Sequence, residues 1–175
     1  MIPSLTLVAA GLMLFSTAGV DSSYGLVFAA LVVMGFGMAS AMAPATDSIM
    51  GSLPLSRASV GSAVNDTTRL VGGSLGVAVL GSLLSSGYGA HMDGAVSHLP
   101  GPAADAAQNQ LGGALAVAQR IGGQASETLV HTARSAFVSG MHTAALVAAG
   151  AALAGALLSV FFLPARSLRA EPVAA

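Results

Sequence analysis

Four charged side chains, Asp47, Arg57, Asp66 and Arg69, fall within residues 44–82, PATDSIMGSLPLSRASVGSAVNDTTRLVGGSLGVAVLGS, a stretch that is otherwise almost entirely apolar or small. Asp66 and Arg69 are three apart, so on a helix they share a face and can pair. A carboxylate there can exchange protons under the influence of the neighbouring guanidinium, or act as counter-ion to a cationic ligand. The plainer role is an Arg–Asp clamp between helices. Asn65, Thr67 and Thr68 flank the pair and are expected to hydrogen-bond between helices. With Asp66 and Arg69, Asn65 is a candidate for proton coupling or substrate contact. Asp47 and Arg57 are candidates for a gate or clamp at the helix ends. Pro44 lacks an amide donor and is expected to end or kink its helix.

These groups must be positioned by membrane helices. The chain has 175 residues, 54% of them hydrophobic and only 7% charged, with a mean hydropathy of +0.80. Soluble domains carry about 25% charged residues, so this composition cannot cover a water-exposed surface. Four apolar stretches are expected to span, at about 2–20, 25–50, 58–87 and 137–163, since crossing the hydrocarbon takes about 20 residues. Each must be helical, because lipid satisfies no open backbone. The fold class is therefore all-α membrane protein. The first stretch has no basic n-region and a second follows at once, so a cleaved signal is not expected.

Asp21-Ser22-Ser23 reads as a tight turn, and Pro54 with a capping Ser56 as a second. Residues 88–136 read as a long external loop that opens with the breaker Leu99-Pro100-Gly101-Pro102. Within it, Leu111, Leu115, Ala118 and Ile121 define one amphipathic helix. Leu129, Val130, Ala133 and Phe137 define another, the two joined at Gly122-Gly123. Arg57, Arg69, Arg166 and Arg169 lie on one side if there are four spans, which places both termini in the cytoplasm. Tyr24, Tyr88 and Phe137 then mark the outer interface, and residues 167–175 form a cytoplasmic tail. Gly72, Gly73 and Gly76 in GGSLG have the spacing that lets helices approach closely, read here as packing within the chain.

Much chemistry is excluded. No cysteine is present, and His91, His98, His131 and His142 are not spaced as metal ligands. No cofactor is implied. The net charge of −1 offers no basic face for nucleic acid. No nucleophile has an obvious base, so an enzyme is not indicated.

The segment VNDTTRxxGGxLGVAxxGS, matched from Val64 to Ser82 with Leu70 and Val71 in the variable slots, resembles fourteen-span drug:proton antiporters of the major facilitator superfamily. PATDSIMG before it, and AFVSGMHTAALVAAGAALAG with FLPAR after the loop, extend the resemblance over about residues 1–166. It implies the last four of fourteen spans, in a bacterial plasma membrane. It further implies export of drug-like or cationic amphipathic compounds in exchange for protons, with the lipid bilayer, the substrate and an N-terminal transporter half as partners. The second span would line the central cavity and the third flank it. Alternating access needs two six-helix halves, so the chain alone is expected to be inactive. Two other readings are a small accessory or scaffold protein docking through GxxxG faces, and an oligomeric four-span exporter. The second lacks an acidic residue in its first span.

Overall fold

A computed structural model describes residues 2–51 and 54–162. Six α-helices follow one another: α1 (Ile2–Ser16), α2 (Tyr24–Met50), α3 (Ala58–Val96), α4 (Gly101–Asn109), α5 (Leu111–Ile121) and α6 (Gly123–Phe162). A single 3-10 turn, Leu55–Arg57, precedes α3. No strand occurs among the described residues.

Three helices, α2, α3 and α6, are long and apolar enough to cross a membrane. The first apolar stretch forms a 15-residue helix, about 22 Å long at 1.5 Å per residue. It stops at Ser16, and the Ser16 and Thr17 hydroxyls bond the carbonyls of Met13 and Leu14. The following turn is closed by Ser22, whose Oγ accepts from the Gly19 amide at 2.6 Å. Ser23 Oγ then accepts from the Gly25 amide in the first turn of α2.

α3 and α6, of 39 and 40 residues, are each nearly 60 Å long, about twice the hydrocarbon thickness. This corrects the expected loop boundaries. Residues 88–96 continue α3, because nothing stronger than isolated glycines interrupts the helix before Pro100. Residues 123–137 belong to α6 and not to a separate short helix. The two short helices are instead α4 and α5. Pro100 caps α4, its carbonyl accepting from the amides of Ala103 and Ala104. The Gly122-Gly123 corner holds where the sequence places it. Both residues have positive φ, 63° and 64°. Gly122, at ψ −179°, occupies a region essentially closed to residues with a Cβ.

The projecting ends of α3 and α6 pair and carry α4 and α5 as a cap. Its core is Tyr88, Met92 and Val96 from α3, Ala107 from α4, Ala114 and Ala118 from α5, and Leu129, Ala133 and Ala136 from α6. Met92 is completely buried. Alanine fills most of these positions because the helices run close together: a Cβ on Gly113 would collide with the Ala106 carbonyl of α4. Tyr88 is 3% exposed and donates its hydroxyl to the Ala107 carbonyl at 2.9 Å. It is thus a core residue and not an interface anchor. Tyr24 does stand exposed, stacked on Phe28 at 6.3 Å between ring centroids.

Below the cap, α1 packs antiparallel to both α2 and α6. A Cβ on Gly11 would lie 2.8 Å from the Met34 amide, and one on Gly37 2.8 Å from that of Val8. His142 Nε2 lies 2.7 Å from the Ala18 carbonyl, donating to it and tying α6 to the end of α1. α3 meets α6 where Gly140 faces the Leu84 carbonyl, 2.8 Å from where a Cβ would sit.

Candidate functional site

From Ser62 to Gly87, α3 has no buried residue. Leu70, Leu75 and Val77 there are 61–75% exposed. The same stretch carries Asn65, Asp66, Thr67, Thr68 and Arg69. Thr67 and Thr68 donate to the carbonyls of Ala63 and Val64, both at 2.8 Å. They satisfy themselves on their own helix, not on a neighbour, as Ser and Thr commonly do four residues back.

Arg69 does not turn to Asp66. Its Nη2 lies 3.9 Å from the Met42 sulfur of α2. Asn65 and Arg69 are one turn apart, on the side of α3 facing α2, and Asp66 is rotated about 100° from Asn65 by helix geometry. Among the described residues neither Asp66 nor Arg69 forms an ion pair, and the same holds for Asp47 and Arg57. An unpaired arginine at the centre of a membrane helix costs about 2.5–3.5 kcal/mol on insertion scales.

Between α1, α2 and α3 lies a cavity of about 410 Å³, with Leu5, Val8, Met38 and Met42 among its apolar walls and Thr46, Asn65 and Arg69 as its polar members. The position of Met42 opposite Arg69 was not visible in the sequence; only α2–α3 pairing brings them together. α2 runs through Pro44 to Met50 without ending there. Arg57, and not Ser56, precedes α3, and no side chain caps that helix.

The glycines divide in two groups. Gly72, Gly73 and Gly76 have no atom within 4 Å of an added Cβ, so the close packing expected of GGSLG within the chain is not made. The close approaches are at Gly11, Gly37, Gly87, Gly113 and Gly140. Among the described residues no three His, Asp or Glu side chains converge on a metal site.

No family model matches the chain. No solved structure matches it. Curated relatives define its class. The tetracenomycin C resistance and export protein of Streptomyces glaucescens is 34% identical over 98% of this chain and 32% of its own length. The multidrug efflux pump LfrA of Mycolicibacterium smegmatis is 30% identical over 89% of this chain and 31% of its own. The methyl viologen resistance protein SmvA of Salmonella typhimurium is 28% identical over 79% of this chain and 28% of its own. These are drug efflux and resistance transporters of the major facilitator type, not enzymes, and the chain is homologous to them. It spans about a third of the length of the curated relatives it matches.

Proposed function

We propose that this chain is the C-terminal segment of a proton-coupled multidrug efflux transporter, inactive without the helices that precede it in such proteins. The observation that carries this reading is the state of α3. A helix with a carboxylate, a guanidinium, an amide and four open glycines, and with no buried residue over that stretch, needs neighbours that this chain does not supply. Homology to about a third of each relative supports the same view. In this reading α1, with flanking residues, is a fourth span and both termini are cytoplasmic, in the bacterial plasma membrane. The cap then lies outside. Drug-like amphipathic compounds leave in exchange for protons.

Asp66 is the proposed proton-coupling group, with Asp47 and Arg57 gating the cytoplasmic ends of α2 and α3. The test is to express the entire natural reading frame in an efflux-deficient bacterium and follow ethidium extrusion. Asp66→Asn is expected to abolish proton-driven extrusion while protein level stays near normal. Unchanged extrusion would remove Asp66 from the mechanism. An intact unrelated gene directly upstream of Met1 would remove the segment reading itself. The open glycine face equally suits docking of a separate membrane protein. A stoichiometric partner lost on Gly72→Leu and Gly76→Leu would favour that second reading.

A further inference from the structure

We propose that the cavity between α1, α2 and α3 binds a molecule with an apolar body and an anionic oxygen, the oxygen held by Arg69 and Asn65. The cavity, about 410 Å³, is of ligand size. Leu5, Val8 and the thioethers of Met38 and Met42 offer an adaptable apolar surface, since methionine side chains reshape easily around a guest.

The charge in its walls is of one sign. Arg69 lines the cavity, and among the described residues no acidic side chain does. A guanidinium has five N–H donors, and among the described residues the one hydrogen bond that Arg69 makes is to the Met42 sulfur at 3.9 Å, a weak acceptor. Asn65, one turn away on the same face, has no hydrogen-bond partner among the described residues. Thr46 commits its proton to the Met42 carbonyl and so does not compete for the ligand's oxygen. Two unspent donors converge where a carboxylate, sulfonate, phosphate or phenolate would be recognised by charge-assisted hydrogen bonds. A cationic head group would meet the guanidinium with no carboxylate in the wall to offset it. The cationic compounds implied by family resemblance are therefore not what this cavity selects.

For its biological meaning this rests on the transporter reading, but binding is measurable without transport. The full chain is placed in phosphatidylcholine nanodiscs and titrated with tritiated 2-naphthalenesulfonate and, separately, with N-methylquinolinium, a cation of similar two-ring shape. Saturable one-site binding of the sulfonate is expected, with the quinolinium at least tenfold weaker. Arg69→Gln should weaken sulfonate binding tenfold or more, and Arg69→Lys should restore part of it. Unaltered thermal unfolding of both variants excludes misfolding as the cause. Adding phosphatidylglycerol separates the sources of the oxyanion. Displacement of the sulfonate assigns the site to a lipid headgroup, and no displacement assigns it to a soluble ligand. Equal binding of both probes, sulfonate affinity within twofold in Arg69→Gln, or no saturable binding would overturn the proposal. Arg69-dependent binding combined with no efflux by the entire reading frame would overturn the transporter reading alone.

Discussion

The two ends of α3 differ as much as any two regions of this molecule. From Tyr88 to Val96 it contributes every fourth residue to a closed core shared with α4, α5 and α6. From Ser62 to Gly87 the same helix buries no residue, and Gly72, Gly73, Gly76 and Gly81 have no atom within 4 Å of an added Cβ. A closed apolar core stabilises its own region in water through the surface it removes from solvent. In lipid that driving force is missing, and helices associate through small residues and polar contacts. The cap therefore holds α3 and α6 together through its own core, while the lower half of α3 leaves its small and apolar residues without one.

The largest expected effect is in the cap. Met92→Ala removes its one large, fully buried side chain and should cost about 2–5 kcal/mol. Faster hydrogen exchange confined to residues 88–136 would show it, with α1 and α2 unaffected. Simultaneous loss of protection in α1 and α2 would show that the two regions unfold as one. At the border, Gly140→Val forces a Cβ against the Leu84 carbonyl and should cost about 1–3 kcal/mol, read as a lower midpoint of thermal unfolding in detergent. Tyr88→Phe leaves the Ala107 carbonyl without its donor and should cost about 1 kcal/mol, seen as a smaller midpoint shift. Gly72→Leu should change the stability of the isolated chain by no more than about 0.5 kcal/mol, as at an uncrowded surface position. In the entire reading frame the same change should lower the yield of assembled protein. A large effect in the isolated chain would show that the face is already occupied.

Much of the fold is legible because bilayer physics is local. An apolar run of sufficient length must be a helix, so the long helices follow from composition and punctuation. Leu99-Pro100-Gly101-Pro102 and Gly122-Gly123 mark real corners for reasons contained in their own backbones, and the second demands φ values that glycine alone adopts readily. Residues 88–96 are less legible. Tyr88, Met92 and Val96, spaced four apart, fit either a loop helix or a continued span, and only pairing with Leu129, Ala133 and Ala136 decides between them. The glycines show the same limit: GGSLG has the spacing for close packing and stays open, whereas Gly37 and Gly140, less conspicuous in the sequence, make the close approaches.

An all-helical chain, the segment carrying the ionisable groups, and kinship with drug-efflux transporters are legible in the residues alone. These depend on composition, local backbone preference and motif. That Arg69 faces Met42 and not Asp66, that Tyr88 is a core residue, and that α3 is enclosed at one end and largely exposed at the other follow only from how the helices pack. Spacing along a helix fixes which side chains share a face, but what that face meets depends on neighbours distant in the chain.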